Sequence, residues 1–382
     1  MDFSLTEDQV MAQETAREFA QKRLKPNAEK FDEEECIPIE YYREAGELGL
    51  FGLMVPEEFG GLALDPVGYV CVMEEIARTC AAFQICLTVH NSLVCGALLK
   101  AGTDEQKKKY LPKLATGEWI GAYSLSEQGS GTDAGSLVCE AKKDGDHYVL
   151  NGTKAWVSSA MIADVFTVYV STDKEKGSYG ISCLIIDKGT PGLTIGKKEK
   201  KMGVRGSDTC ELIFQDCRVP AANLIGVENE GFKIALGALD SGRVGIAAQS
   251  VGIAQGAFDE AIAYAKERRQ FGKPLTKFQA TQIKLADMAT AIDAARLLTR
   301  RAAASMAVGG TQASLEASQA KLFASTTANK VAFDAVQIHG GNGYVREFPV
   351  ERYFRDARVT EIYEGTSEVQ RLVIAKNLLK KS

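Results

Sequence analysis

The spacing of apolar residues changes character twice along this chain of 382 residues. Residues 1–118 carry apolar side chains at helical intervals, and helical intervals return over residues 227–382, where the pattern continues to Lys380. Residues 119–226 instead hold short runs of β-branched and aromatic residues broken by glycines. Helices and strands do not alternate, which argues against a doubly wound dinucleotide fold. The three ranges predict an α+β protein, mostly α, with a β-barrel-like or sandwich domain between two helical domains.

Residue pairs typical of helix starts predict several element boundaries. Three such starts are indicated in the first part, two of them as capping boxes: Thr6 with Gln9, Thr103 with Gln106, and Asp65 before Pro66. We expect Pro112 and Gly117 to help end the helix that Thr103 begins. Asn151-Gly152 lies between two strand-like runs and predicts a β-hairpin.

The alanine-rich final part predicts long helices. Their expected ranges are 231–266, 276–308 and 312–339, with Gly309-Gly310 and Gly340-Gly341 as punctuation. Ser367 with Gln370 forms a further capping-box sequence, which predicts that another helix starts near Glu368.

Charge and cysteine usage exclude several functions. The chain has 45 Lys and Arg against 50 Asp and Glu, a formal net charge of -5, which disfavours general binding to nucleic acid or anionic membranes. No apolar run near the roughly 18 residues of a membrane span is apparent, nor is a signal peptide. Nine cysteines without a C-x-x-C pair, and three distant histidines, predict reduced, mostly buried thiols and no metal site. We therefore expect a cytoplasmic protein, although a mature mitochondrial form would look the same.

Six segments carry residues suited to chemistry. They are Tyr123–Ser136, Lys154–Ala160, Leu239–Arg243, Glu267–Leu275, Gln337–Arg358 and Glu361–Arg371. Each also has a purely structural explanation, such as a polar surface loop, a core tryptophan, a surface ion pair or a solvated turn glutamate. From the residues alone, the sequence predicts a glycine- and serine-rich ligand site but does not name the ligand.

Taken together, the six segments resemble the acyl-CoA dehydrogenase family from end to end. LSEQGSGTD, Leu125–Asp133, is similar to that family's first signature, and eight residues match its second: Gln337, Gly340, Gly341, Gly343, Tyr344, Glu347, Arg352 and Asp356. The short-chain, butyryl-CoA branch is the most similar one in four sequence motifs, which are DSGR, RQFGKPLTKFQ, YFRDAR and YEGTSE. The resemblance implies an N-terminal helical bundle, a middle β domain and a C-terminal four-helix bundle.

The resemblance also implies FAD, a homotetramer built as a dimer of dimers, and a set of site residues. Those that would lie against the flavin are Tyr123, Leu125, Ser126, Thr132, Trp156, Val157 and Ser158. Those that would hold the FAD of a neighbouring subunit are Arg268, Gln279, Gln337, Gly340 and Gly341, and Thr366 and Glu368 would complete the site. The acyl-CoA substrate would contact Thr132, Asp240, Arg243, Tyr363 and Gly365.

The implied reaction is α,β-desaturation of an acyl-CoA thioester, with Glu364 as the base that removes the α proton and the β-carbon hydride passing to flavin N5. Isovaleryl- and long-chain relatives carry the base at the position of Gly242, which here has no side chain. The implied electron acceptor is electron-transfer flavoprotein. A helix N-terminus would favour the Glu364 carboxylate and an apolar site would favour the acid, so the net pKa shift stays open.

Several alternatives remain at this point. In one alternative, the substrate is a branched, cyclic or medium-chain acyl-CoA. In another, the same enzyme works in reverse as an enoyl-CoA reductase. An oxidase, a nitroalkane-oxidase-like enzyme and a non-catalytic CoA-binding scaffold are less compatible with the chain length and with Glu364. The chain departs from common family residues at Ser124, Gln128 and Ser158. No Arg or Lys lies between Arg78 and Lys100, which argues against a glutaryl substrate at His90-Asn91.

Overall fold

A computed structural model describes residues 4–379, so Lys380, where the predicted helical pattern ends, lies outside the described residues. The N-terminal part of the described chain consists of short helices around a shared apolar core. They are α1 (Glu7–Phe19), α2 (Ala28–Glu33), α3 (Ile39–Glu47), α4 (Pro66–Ala77), α5 (Ala81–Thr88), α6 (Gly96–Ala101) and α7 (Asp104–Ala115). Two π-helical segments, Ala20–Leu24 and Val89–Cys95, extend α1 and join α5 to α6.

The predicted helix starts are confirmed. Thr6 and Thr103 each form a complete capping box, and the Asp65 carboxylate accepts from Gly68 N at 2.7 Å at the start of α4. The expectation that Pro112 helps to end α7 is wrong, because Pro112 lies inside that helix, which ends at Ala115. The helix tolerates the proline because Lys108, four residues earlier, is exposed, so water can satisfy its carbonyl.

One helical stretch corrects the expectation about apolar runs. Ala81–Ala101 is long and apolar enough, by length and composition, to cross a membrane. Of its most apolar window, 89% is buried inside the protein, which is the environment of a core helix. Thr88, His90, Asn91 and Ser92 interrupt the apolar residues in the sequence, which is why the run was not apparent there.

The middle part is an eight-stranded sheet. Its strands are β1 (Gly121–Ser124), β2 (Glu140–Asp144), β3 (His147–Ser158), β4 (Val165–Ser171), β5 (Ile181–Asp187), β6 (Leu193–Lys198), β7 (Thr209–Pro220) and β8 (Leu224–Ile225). The spatial order is β6-β7-β3-β2-β4-β5-β8, and β1 pairs in parallel with β4. In register, Val165 faces Gly121 of β1 and Asp187 of β5.

Strand β4 is buried on both faces, which ties the sheet to the N-terminal helices. Phe166 and Val168 point into the core of the β domain itself. Val165 and Tyr169, on the other face, pack into a second core with α6, α7 and the first turns of the next helix. Successive strand residues alternate between faces, so one strand contributes to two cores.

The predicted hairpin at Asn151-Gly152 is wrong. Strand β3 runs through these residues, and the turn lies between β2 and β3, where Asp144 pairs with His147. Gly152 instead allows two chains to approach closely, since a Cβ there would lie 2.7 Å from the Cys139 Cα. Its φ of 140° falls at an irregularity in the pairing of β3 with β7.

The C-terminal part is helical. Its elements are α8 (Gly231–Glu267), β9 (Arg269–Gln270), β10 (Lys273–Pro274), α9 (Gln279–Val308), α10 (Gly310–His339), α11 (Val350–Val359) and α12 (Ser367–Leu379). Helix α10 packs against α8, α9, α11 and α12. Helix α8 also crosses α4, and Gly252 permits the contact because a Cβ there would lie 2.4 Å from the Glu74 carbonyl oxygen.

A cluster of ionic contacts joins the three parts of the chain. The Arg355 guanidinium on α11 donates to both carboxylate oxygens of Asp32 on α2, at 3.0 and 2.7 Å. It also reaches Glu351 and the carbonyl of Met202, in the connection between β6 and β7. The neighbouring Asp356 carboxylate accepts from Val204 N at 2.5 Å, and burial raises its pKa to about 6.

We expect Arg355→Gln to lower the free energy of unfolding by roughly 3 kcal/mol, because it leaves the buried Asp32 and the half-buried Glu351 without their shared cation. Denaturant unfolding of the two proteins measures the difference. Arg218→Gln is the matched control, since its ion pair with Asp144 is more than half exposed and should contribute less than about 1 kcal/mol. Equal losses in the two variants would contradict a special role for Arg355.

Candidate active site

Glu364 lies in the turn between α11 and α12, with its carboxylate packed onto helix α8. A Cβ placed on Gly242 would lie 1.9 Å from Glu364 Oε2, closer than two unbonded atoms can approach. Glu364 itself adopts a φ of 53° and Gly365 a φ of 91°, so two successive residues occupy the left-handed region. Residue 242 must therefore lack a side chain for Glu364 to occupy this position.

Burial controls the protonation of Glu364. Its Oε2 has no hydrogen-bond partner among the described residues and is inaccessible to water. Loss of hydration raises the pKa of this carboxyl to about 7, against the opposing charges of Arg243 and Lys321. A carboxyl with a pKa near neutrality is suited to remove a proton at physiological pH.

Two side chains hold the turn that carries Glu364. Gln370 Nε2 donates to the carbonyl oxygens of Glu364 and Gly365, at 3.2 and 3.0 Å. Lys321 Nζ on α10 donates to the same Gly365 oxygen at 2.7 Å. Sequence analysis missed Lys321, although a lysine among the small residues Ala317, Ala320 and Ala324 on one helix face is a detectable signal.

The predicted capping box at Ser367 is wrong. Thr366 Oγ1 accepts from Val369 N at 3.3 Å and caps α12, while the Ser367 hydroxyl has no partner within residues 4–379. Gln370 is unavailable to complete a box because its side chain bonds the turn carbonyls. Of the two other residues predicted here, Glu368 is exposed in the first turn of α12, and Thr366 is half-buried.

Three tyrosines surround the carboxyl. The Tyr363 hydroxyl donates to Gln249 on α8, while the hydroxyls of Tyr69 on α4 and Tyr123 on β1 are buried without a partner in the described chain. Burial raises the pKa of Tyr69 to about 12 and that of Tyr123 well above its usual value, and the Glu364 charge adds to both. Buried polar atoms without partners indicate a place where a ligand supplies them.

Asp240 and Arg243 form an ion pair on α8, close to Glu364. Arg243 Nη1 donates to Asp240 Oδ1 at 2.6 Å, and the Ser314 hydroxyl donates to the same oxygen at 3.1 Å. Arg243 is buried, so the pair is not the solvated surface contact that its spacing alone also allowed. Its Nε has no hydrogen-bond partner in the described part of the chain and is free for a ligand.

A buried ion pair shapes the glycine- and serine-rich loop. Lys154 Nζ donates to Glu127 Oε1 at 2.8 Å and to the Leu125 carbonyl at 2.9 Å. The Glu127 carboxylate accepts in turn from the backbone N–H groups of Val138 and Cys139. The two ends of the loop are thereby fixed, while Gly129 and its neighbour Gly131 face open space.

The predicted flavin-contacting residues differ in what they can present. Ser126, Ser158 and Tyr123 are half-buried and Thr132 is exposed, but Leu125 and Val157 point their side chains into apolar cores. Only the backbone of the latter two is available to a ligand. Trp156 is 55% exposed at a φ of 61°, where the pairing of β3 with β7 is irregular, so it is not a core tryptophan.

The second predicted set lies at one end of the helical bundle. Arg268 caps the C-terminus of α8, Gln279 begins α9, and Gln337 lies in the last turn of α10, all three exposed. Tyr264 and His339 stack at 4.1 Å between the ends of α8 and α10. Gly341 faces open space, as an approaching ligand requires.

His90 and Asn91 serve the interior of the N-terminal helices. His90 accepts from Gly121 N through Nδ1 and contacts the Leu114 carbonyl through Nε2, and burial lowers its pKa to about 3. Asn91 bonds the backbone of Leu50 and Leu53. Neither side chain is free to recognise a second carboxylate on a substrate.

These features fit a flavin adenine nucleotide and a small anionic thioester. Trp156 on β3 is exposed, the glycine-rich loop is open at Gly129 and Gly131, and buried hydroxyls near Glu364 have no partner in the described chain. All nine cysteines are free and eight are buried, as expected. Within residues 4–379, no group of three His, Cys, Asp or Glu side chains is placed to hold a metal ion.

Comparison with known proteins identifies the family. Models of the acyl-CoA dehydrogenase N-terminal, middle and C-terminal domains match residues 6–118, 122–217 and 229–379. The short-chain specific acyl-CoA dehydrogenase of Rattus norvegicus mitochondria is 49% identical over 98% of this chain and 91% of its own. Acryloyl-CoA reductase (NADH) of Anaerotignum propionicum is 46% identical over 100% of this chain and 97% of its own.

Solved structures agree with these matches. Butyryl-CoA dehydrogenase from Megasphaera elsdenii has a TM-score of 0.97 at 43% identity, covering 99% of this chain and 100% of its own. A chain in the structure of the electron transferring flavoprotein of Acidaminococcus fermentans has a TM-score of 0.98 at 46% identity, with both chains covered completely. The predicted resemblance is thereby confirmed: the chain belongs to the acyl-CoA dehydrogenase family.

Proposed function

We propose that this chain oxidises the Cα–Cβ bond of a short-chain acyl-CoA, with Glu364 as the base that removes the α proton. The observation that carries the proposal is a carboxyl buried against Gly242, with a pKa near neutrality and no hydrogen-bond partner for Oε2 within residues 4–379. A proton beside a thioester carbonyl is weakly acidic, so the base must be close, correctly oriented and free of competing hydrogen bonds.

The chain's own groups prepare this proton transfer. The left-handed turn directs the Glu364 carboxylate toward α8, and the Glu364 backbone N–H is the donor we assign to the thioester oxygen, where negative charge develops. The enclosing tyrosines keep water away from the carboxylate. FAD, when bound, supplies the acceptor for the hydride that leaves the β carbon. Tyr123, Ser126, Trp156 and Ser158 would hold its reacting ring.

A cleft of about 330 Å³ next to the glycine-rich loop suits the remainder of the thioester. It is lined by Gly135, Ser136, Leu137, Val138, Ser171, Lys174 and Gly177. Small residues and a lysine can admit a long polar chain that ends in phosphates. We assign this cleft to the CoA moiety, which Thr132, three residues before Gly135 in the same loop, would also contact.

The residues that follow Gly242 along α8 support a short acyl chain. One turn further, a Cβ on Gly245 would meet Tyr69 OH at 2.8 Å and Thr88 Cγ2 at 2.7 Å. Another turn further, Gln249 bonds the Tyr363 hydroxyl. Bulky side chains thus fill the face of α8 beyond Glu364 and leave room for only a few carbons.

Assembly and electron transfer follow the same proposal. We propose a homotetramer in which Arg268, Gln279, Gln337, Gly340 and Gly341 hold the FAD of a neighbouring subunit. Its support is the exposed apolar residues on the helical part: Phe271, Ile283, Leu297, Phe323 and Phe333. We propose electron-transfer flavoprotein as the electron acceptor and the cytoplasm as the compartment.

A second candidate is the reverse reaction, reduction of a short enoyl-CoA. The similarity to the Anaerotignum propionicum acryloyl-CoA reductase favours it, and the same Glu364 would then return a proton to the α carbon. Measured rates in both directions, with butyryl-CoA and with crotonyl-CoA, distinguish which direction the enzyme favours.

We expect Glu364→Gln to reduce flavin bleaching by butyryl-CoA at least about 10⁴-fold, because a base contributes roughly 10²–10⁴-fold and proton removal here gates oxidation. Anaerobic stopped-flow absorbance measures the rate. Glu361→Gln is the matched control: this carboxylate lies three residues earlier, is ion-paired to Arg358 and should leave bleaching unchanged. Bleaching at close to the wild-type rate in Glu364→Gln would remove Glu364 as the base.

A relocated base provides a stricter comparison. Since a side chain at 242 would overlap the residue-364 carboxylate, the second variant combines Gly242→Glu with Glu364→Gly. Partial recovery of bleaching over Glu364→Gln would support one cavity that either backbone position can serve.

We expect kcat/KM for butyryl-CoA to rise with pH and to level off above about pH 7, the value to which burial raises the pKa of Glu364. The raised pKa leaves the carboxyl protonated, and therefore inactive as a base, below pH 7, so the rate falls about tenfold per unit there. Steady-state assays from about pH 4 to 9 with an artificial electron acceptor measure the profile. An acid limb near pH 4.5 would indicate a solvated base.

Chain-length preference tests the filled face of α8. We expect kcat/KM to be highest for butyryl-CoA or hexanoyl-CoA, because Tyr69, Thr88 and Gln249 occupy the space that longer chains require. Steady-state rates for C4 to C16 acyl-CoAs measure the preference. A maximum at C12 or beyond would contradict the short-chain assignment while leaving the family unchanged.

A further inference from the structure

Lys321 is a fully buried lysine that the proposed reaction does not yet use. It lies on α10 with 0% exposure, and no carboxylate of the described chain lies within ion-pair distance of its Nζ. Its one hydrogen bond to backbone is to the carbonyl of Gly365, directly after Glu364. An isolated buried ammonium is costly, so a lysine in this place requires an explanation.

The charges around Lys321 come from three other elements. The connection between α11 and α12 contributes Glu364 and Glu361, α12 contributes Glu368, and α8 contributes Arg243. Arg243 is ion-paired with Asp240 at 2.6 Å, and its charge lowers the pKa of Glu364 together with, and more than, that of Lys321. Glu361 is paired with Arg358, and Glu368 is exposed. The buried groups left without an ion-pair partner are Lys321 and Glu364.

We propose that Lys321 is a positioning residue for the base: its ammonium fixes the carbonyl that follows Glu364 and keeps the Glu364 carboxylate ionised before substrate arrives. The proposal rests on Glu364 being the base. The hydrogen bond restrains a turn with two successive left-handed residues, which is otherwise unfavourable. The charge opposes the desolvation that favours the protonated carboxyl. Burial lowers the pKa of Lys321 to about 8, with the Glu364 charge opposing that shift, so the ammonium is present in the pH range where Glu364 titrates.

Gln370 separates the two effects, because it bonds the same turn with a neutral amide. Loss of Gln370 loosens the turn and leaves the ammonium in place. Loss of the Lys321 charge changes the ionisation of Glu364 even when the turn keeps its shape. The pH at which kcat/KM begins to fall on the acid side, the acid limb, therefore reports the Lys321 charge. The plateau value of kcat reports the geometry of the turn that carries Glu364.

The experiment compares pH profiles of kcat/KM for butyryl-CoA in the FAD-loaded holoenzyme and its variants. Lys321→Gln keeps an N–H donor but removes the charge. Lys321→Met keeps a side chain of similar length but removes both the donor and the charge. We expect the acid limb of both to move up by about one pH unit, the smaller end of the shift from a nearby opposite charge. At pH 6 the kcat/KM of both variants should be about tenfold below that of the wild type. At pH 9 the kcat/KM of Lys321→Gln should approach the wild-type value.

Three further variants serve as comparisons. Lys321→Arg should keep the wild-type limb, as should Lys330→Gln, which removes an exposed cation of α10 that is paired with Asp334. Gln370→Met should lower kcat without moving the limb. Infrared titration of the protonated carboxyl band, assigned by its loss in Glu364→Gln, reads the same shift without turnover.

The outcomes are decisive in each case. If Lys321→Gln or Lys321→Met folds and its acid limb lies within about 0.2 pH unit of the wild-type limb, the proposal is overturned, whatever the value of kcat. Failure of both neutral variants to fold while Lys321→Arg folds would assign the lysine to stability and also overturn it. A wild-type enzyme without an acid limb near pH 7, or an active Glu364→Gln, would instead reject the base itself.

Discussion

The burial of one carboxyl against a helix organises the centre of this molecule. Water would hold Glu364 ionised and hydrogen-bonded, whereas packing against α8 removes that hydration and raises its pKa. The carboxylate can lie there because residue 242 is glycine and because the α11–α12 turn adopts backbone angles that Gln370 and Lys321 stabilise. The neighbouring tyrosines then enclose the group. Each of these features would be unexplained without the buried acid.

Periodicity predicted the long helices well because their residues repeat the pattern many times. The helix predicted over 231–266 is observed as Gly231–Glu267, and the one over 312–339 as Gly310–His339. Family motifs likewise led to Glu364, since its signature is contiguous in the chain. In both cases the information lies within a short stretch of sequence.

The misses share the opposite cause. Asn151-Gly152 has strong turn propensity, yet pairing with β7 and close contact with Cys139 keep it within a strand. The Ser367–Gln370 sequence suits a capping box, yet Gln370 bonds carbonyls outside the helix. The pKa of Glu364 could not be decided because burial depends on α8, which is far away in sequence. Lys321 and Tyr69 reach the site only through the fold.

The two-sided burial of β4 has a consequence for how this protein unfolds. Phe166 and Val168 belong to one core, whereas Val165 and Tyr169 belong to a core shared with α6 and α7. The middle third, although it matches a family domain of its own, would expose an apolar sheet face if expressed alone. Amide protons of β4 should then exchange only when both cores open together. A boundary in sequence is thus not a boundary in cooperativity, and the glycine- and serine-rich loop follows directly after β1, which pairs with β4.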